Sequence, residues 1–397
     1  MSPSQSPHPA FLLVLAAITI PATGQETARA SRRLPPRDLT ATGTFPEPFS
    51  RIAGLRALPD GRLLIADRLE QRVSVLDFTA GTTAPIGREG AGPGEYRTPT
   101  GLFAMPDGGT LLADIGNMRL SRITAAGKIE TTFPMMSQSD GTPMFISPQG
   151  TDASGRVFFT SSVSFSGPTG GVRPTDSTAI LRMDLATGQF DTVAMIERPT
   201  VSGRNRPTTR RIQGGGTIQF AGGALPGPFA ARAHWAVATD GALAIAHPTP
   251  YRVDWVRDGQ VTRGPEIPYE AVPITRADQE AWRDRQARQT LSVTSAGGGS
   301  GGGTLRLDPP SLDEVAFPRF MPPFVNVVVT PEGQAWVQLS QPTSRRQPVF
   351  DVFDRGGTRI EQVRLPADRQ LVGFGPGVVY AVWTDADDLQ WLERYRH

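Results

Sequence analysis

Few side chains in this sequence can do chemistry at neutral pH, so each can be followed individually. There are four histidines and no cysteine among 397 residues. Disulfides, Cys-ligated zinc, iron–sulfur clusters and a thiol nucleophile are therefore excluded. His8 falls in an apolar N-terminal stretch and His397 is the last residue, which leaves His234 and His247. A three-histidine zinc site would have to borrow the C-terminus, so none is expected. No Gly-x-Ser-x-Gly elbow and no Gly-Lys-Ser/Thr phosphate loop occurs, and serine-hydrolase and nucleotide-hydrolase readings lack a carrier.

The polar residues singled out by position are Asp67, Arg68, Asp114, Asn117, His247 and Asn326. Asp67 and Asp114 close two apolar runs, Leu63-Leu-Ile-Ala-Asp67 and Thr110-Leu-Leu-Ala-Asp114. A carboxylate there suits two jobs: capping backbone N–H groups as an Asx turn does, or ligating a hard cation such as calcium. His247 closes the similar run Leu243-Ala-Ile-Ala246, as a capping or packed imidazole or as a base. Asn326 interrupts Phe324-Val-Asn-Val-Val-Val329, where it either points into a channel or satisfies a buried backbone group. Arg204, Arg206, Arg210 and Arg211 have the chemistry for carboxylates or phosphates, yet read as scattered charge on a solvated loop. With 40 basic and 38 acidic residues interspersed, no nucleic-acid partner is expected.

What positions these residues is a repeat. Gly54-Leu-Arg-Ala-Leu-Pro-Asp-Gly-Arg-Leu-Leu-Ile-Ala-Asp67 aligns without a gap on Gly101-Leu-Phe-Ala-Met-Pro-Asp-Gly-Gly-Thr-Leu-Leu-Ala-Asp114. Each copy reads as strand, Pro-Asp-Gly turn, apolar strand and terminal Asp, followed by a third strand at Arg72–Asp77 or Arg119–Thr124. The same turn-then-strand anchor recurs at Gly155, Gly241, Gly333 and Gly377, which with Gly61 and Gly108 makes six. Blade-sized spacing predicts an all-β, six-bladed β-propeller. The last blade has only three strands of its own, ending with Leu389–Tyr395. Leu39–Phe45 is a suitable fourth, so an N-terminal strand is expected to close the ring and remove an exposed edge.

Two inserts depart from the plan. Residues 197–232 read as a long Gly-, Pro- and Arg-rich loop. Residues 275–303 read as an insertion: a helix over 275–290, N-capped by Thr275 with Asp278 in its first turn, then the flexible Gly297-Gly-Gly-Ser-Gly-Gly-Gly303. That helix is either a lid over one propeller face or an ornament. At the N-terminus, the ten apolar residues Phe11–Ile20 followed by Ala22-Thr23-Gly24 read as a cleavable signal over 1–24, with 25–38 as a flexible segment and 39–397 as the propeller. Ten residues are too few to span a bilayer, so no membrane span after cleavage and a periplasmic or secreted location are expected.

Residues 86–129 carry a family resemblance. Gly90-Ala-Gly-Pro-Gly-Glu-Tyr96, Pro99, Asp107-Gly108, Ala113-Asp114 and Asn117-Met-Arg119 resemble the NHL repeat, with a good match also over 52–85 and only strand rhythm beyond 130. The resemblance implies a six-bladed propeller with mostly architectural aspartates, in a family spanning protein scaffolds, RNA-binding platforms and enzymes. Calcium-dependent lactonases of that shape hold their ion at the channel with carboxylates and amides; calcium is thus a possible cofactor, although no cofactor is required. The expectation is a non-enzymatic module for a protein, peptide or glycan, with Asp67, Arg68, Asp114, Asn117, His247 and Asn326 at a channel mouth. The alternative is a metal-dependent lactonase or hydrolase.

Overall fold

The structure is a computed structural model describing residues 34–139, 142–160, 177–197, 208–211, 217–220, 227–288, 290–293, 303–306 and 308–397. The expected signal over 1–24 and most of the expected flexible segment 25–38 lie outside these residues. Strands are arranged in six antiparallel sheets of a closed propeller. The first blade pairs Ile52–Ala57, Leu63–Asp67, Arg72–Asp77 and Thr82–Ile86 in sequence order. The innermost strands of the next five are Pro99–Ala104, Gly150–Thr151, His234–Val237, Phe324–Val329 and Gln370–Gly375.

The six anchor glycines explain why these segments turn where they do. Gly61, Gly108, Gly155, Gly241, Gly333 and Gly377 all have φ between 64° and 86°, the left-handed region that costs a side chain energy. Each follows an innermost strand, so all six first turns lie at one end of the channel, here the turn face. The inter-blade connections and second-to-third-strand loops lie at the opposite end, the loop face.

Packing closes the same ring. The core falls into six clusters, one per blade interface. Leu64, Ala66 and Val73 of the first blade meet Leu102, Leu112 and Ile123 of the second, and the sixth meets the first through Tyr380, Val382 and Leu392 against Leu63 and Ile65. Side chains on the two faces of each blade thus pack on the neighbouring blades, which directs the free edge of each innermost strand at the axis. The ring is shut by Thr40–Thr44, which pairs antiparallel with Gln390–Arg396 to complete the last sheet, and Arg37–Asp38 adds a parallel outer strand to the fifth.

The inserts differ from expectation in containing paired strands. Residues 197–232 are not simply a loop: Thr208–Arg211 and Thr217–Phe220 form a hairpin. Similar hairpins join Met136–Ser139 to Thr142–Phe145, and Thr290–Val293 to Gly303–Arg306. The helix runs Arg276–Arg288. Thr275 and Asp278 cap it reciprocally, Asp278 Oδ2 accepting from the Thr275 N–H at 2.9 Å and Thr275 Oγ1 from the Asp278 N–H at 3.3 Å. The other Asp278 oxygen accepts from the Thr343 backbone at 2.7 Å and hydroxyl at 2.8 Å, and Trp282 meets Phe317 edge-on. These contacts pin the helix to the fifth blade's edge.

Candidate functional site

The central channel is the one feature that all six blades build. It encloses about 740 Å³. The sixth residue before the anchor glycine lines it in every blade: Leu55, Leu102, Gln149, Trp235, Val327 and Leu371. Three of these follow the exact 47-residue spacing, so the repeat marks the position, although no polar residue type singles it out. Because the innermost strands face the axis with free edges, unpaired backbone N–H and C=O groups accompany these side chains.

Bulges re-aim part of the lining. The innermost strand carries an extra residue between Ile52 and Gly54, between Pro99 and Gly101, and between Phe324 and Asn326. In the fifth blade this leaves Val325 exposed and turns Asn326 into the channel, exposed and without a hydrogen-bond partner among the described residues. Of its two alternatives, Asn326 takes the channel. Gln149, also exposed, supplies a second carboxamide and reaches Thr160 Oγ1 at only 3.4 Å. The one charged side chain in the lining is Arg56. Its guanidinium donates to Gly109 O, Gly108 O and Thr110 Oγ1 of the next blade's turn, and burial lowers its pKa from the usual guanidinium value.

The remaining expected residues are not gathered there. Asp67 is buried and accepts from the backbone N–H groups of Ser50 at 2.7 Å, Leu69 at 3.0 Å, and Arg51 and Glu70 at 3.1 Å. Asp114, fully buried, does the same for Thr98 at 2.9 Å and Arg97 at 3.1 Å, and holds Asn117 Nδ2 at 2.7 Å. Each aspartate fastens the incoming inter-blade connection to the second-to-third-strand loop; this is the capping job, and it places both away from the channel lining. Arg68 is exposed on the loop face, directly after the first of these caps.

His247 pairs with the buried Asp254, Nε2 to Oδ2 at 3.2 Å, while Arg252 and the Gly264 N–H also bind that carboxylate. Burial lowers the His247 pKa, with Asp254 opposing. His397 sits elsewhere, its ring 4.9 Å from Trp336. Among the described residues no group of three or more His, Asp or Glu side chains is placed to hold a metal. Calcium held near the channel by Asp67, Asp114 or Asn326 gains no support from this arrangement, since backbone N–H groups occupy Asp67 and Asp114 Oδ1, Asn117 binds Asp114 Oδ2, and of the three only Asn326 faces the channel.

A second cavity of about 1490 Å³ lies beside the fifth blade, between Leu34–Pro36, residues 268–275 and residues 339–347. At its base the Tyr251 hydroxyl donates to Asp351 at 2.9 Å, and Gln362 Nε2 donates to the other oxygen at 2.9 Å. Burial first, then Asp351, raises the Tyr251 pKa far above its usual value, so the phenol stays a donor.

No protein-family model matches the sequence, and no curated protein does. Among solved structures, the chain is similar to a DUF4221 family member from Bacteroides vulgatus, with 10% identity, 90% of this chain and 97% of that one covered, and a TM-score of 0.49. It is similar to virginiamycin B lyase from Staphylococcus aureus at 10% identity, covering 90% and 99%, with a TM-score of 0.41. It is also similar to the calcium-binding protein regucalcin from Agrobacterium tumefaciens at 12% identity, covering 90% and 96%, with a TM-score of 0.40.

Proposed function

We propose that this propeller is an exported binding module whose central channel takes a small ligand with an apolar body and a carbonyl or carboxylate acceptor. The observation that carries the reading is the channel lining: six inner strands, mostly aliphatic and aromatic side chains, two accessible carboxamides, one guanidinium and no carboxylate. Mixed apolar walls with a few polar groups are what small-ligand sites generally present. Asn326 and Gln149 donate amide hydrogens, and the free strand edges offer further N–H groups. Arg56 is the only positive charge in the lining, and because its guanidinium already donates to Gly108, Gly109 and Thr110 it acts on an acidic group through its field.

Such a lining suits binding better than hydrolysis, because no general base faces the channel among its described residues. Export rests on the apolar stretch Phe11–Ile20, and no described helix is long and apolar enough to cross a membrane.

The test uses anilinonaphthalene sulfonate, an aromatic body with one anionic group, as the probe. Saturable fluorescence enhancement is expected with the native protein. Gln149→Trp combined with Asn326→Trp fills the channel from two exposed positions and is expected to weaken the probe about tenfold or more. Thermal melts of both proteins should coincide. Equal titrations for the native and filled proteins would show that the probe binds elsewhere and would remove the channel from the reading.

A further inference from the structure

Many arginines are ion-paired, on the loop face among them Arg119 with Asp114 and Arg252 with Asp254, but three on the loop face of the first two blades are not. On the turn face Arg62, Arg122, Arg156, Arg182, Arg257 and Arg355 each ion-pair with an aspartate. On the loop face of the first two blades Arg51, Arg68 and Arg97 are exposed and ion-pair with nothing among the described residues. Beside them stand the exposed apolar side chains Leu69 (64%), Ile115 (39%) and Met136 (40%).

Hydrogen bonds tie together the loops and connections that carry these six residues as a strip across the two blades. The Arg68 N–H donates to Arg51 O at 2.9 Å, tying loop to connection in the first blade. With its amide turned so that the nitrogen rather than the oxygen faces Arg97 O, 2.7 Å away, Gln71 donates across to the second blade. There the Ile115 N–H donates to Thr98 O at 3.1 Å, and the Met135 N–H to Met118 O at 2.9 Å. The buried caps Asp67 and Asp114 hold both loops from beneath, so the strip is preorganised and little ordering entropy is lost when something binds it.

We propose that this strip is a docking surface for a polypeptide segment that presents acidic and apolar side chains together. Unpaired guanidiniums match carboxylates in a bidentate fork, and Arg and Met are enriched at protein interfaces. The exposed Leu69, Ile115 and Met136 supply the apolar contacts between the charges. Nucleic acid fits less well: it has no aliphatic side chains to meet Leu69, Ile115 and Met136, and Glu70, which accepts the Ser50 hydroxyl at 2.6 Å, and Glu89, beside Gln71, oppose a continuous run of negative charge more than carboxylates spaced by apolar residues. No exposed aromatic ring stands among the six to stack a base.

The experiment measures fluorescence anisotropy of a labelled peptide alternating Glu and Leu, with an all-Glu peptide and phosphatidylglycerol vesicles as parallel probes. The expected result is saturable binding of the Glu–Leu peptide that falls with added salt. Arg68→Glu with Arg97→Glu should weaken it about tenfold or more, and Leu69→Ser should weaken it further. Arg62→Glu on the turn face should leave it unchanged. The idea is overturned if the peptide fails to bind, if the double variant binds it equally well, or if the all-Glu peptide binds as tightly. Vesicle binding that depends on the same arginines, without peptide binding, would replace a protein partner by a lipid surface. Because none of these substitutions touches the channel, their failure leaves the channel reading standing.

Discussion

His234 stands at the loop-face end of the fourth innermost strand, its ring edge-on to Phe324 at 5.8 Å. Burial, with the charge of Arg232 adding to it, lowers its pKa from 6.5 to about 4. The unfolded chain therefore binds a proton that the native protein refuses over that interval. Stability is full above about pH 6.5 and is lost as pH falls towards 4, by on the order of 2–3 kcal/mol from this residue. His247 and His397 are lowered too, with burial the first cause in both, and they steepen the same limb. Urea unfolding of the native protein and His234→Phe at a series of pH values checks the sign. The variant should lose less stability between neutral and acid pH, and parallel curves would show that His234 is exposed to solvent in the working protein.

At the scale of elements, the turn between the first two blades is held by a phenol. The buried Tyr96 hydroxyl accepts from the Val73 N–H at 2.9 Å and donates to Ile86 O at 2.8 Å, which pins the connection onto the outer strands it has just left. Tyr96→Phe strands one backbone donor and one acceptor and should cost about 1–3 kcal/mol. A lower urea midpoint at unchanged slope is the expected readout. The turn itself was legible, because Gly90 and Gly94 take positive φ and a Gly-rich stretch in front of a strand has few other uses. The anchors, the closing strand and the capped helix were legible for the same reason: each rests on a local rule that residue type alone enforces. What residue type could not tell was direction. Asp67 and Asp114 end their strands as read, but whether a carboxylate turns towards the axis or beneath its own loop depends on which N–H groups the next connection brings near. Asn326 was ambiguous until the bulge at Val325 turned it inward, and a bulge is a property of two strands paired, not of one strand's sequence.

For the whole molecule, the consequence of closure is that a strand from each end of the described residues meets in one sheet. Thr40 pairs with Arg396, and both are exposed. Each of the six interface clusters needs the blade on either side of it, so a ring that opens at this seam exposes the apolar faces of the last blade and the first. Opening there should be an early step in unfolding, because the strand that completes the last blade is joined to its partner by no local chain connection. A crosslink at the seam removes that step and also restrains the unfolded chain over nearly its whole length. The chain has no cysteine of its own, so Thr40→Cys with Arg396→Cys can form only one intramolecular bridge. Stabilisation by about 2–4 kcal/mol is expected in the oxidised protein and should vanish when the bridge is reduced. Unfolding kinetics separate the two contributions. If the seam opens first, oxidation slows unfolding as well as shifting the equilibrium. A bridge that forms fully but leaves the unfolding rate unchanged would mean that the ring breaks elsewhere, with the N-terminal strand still in place at the transition state.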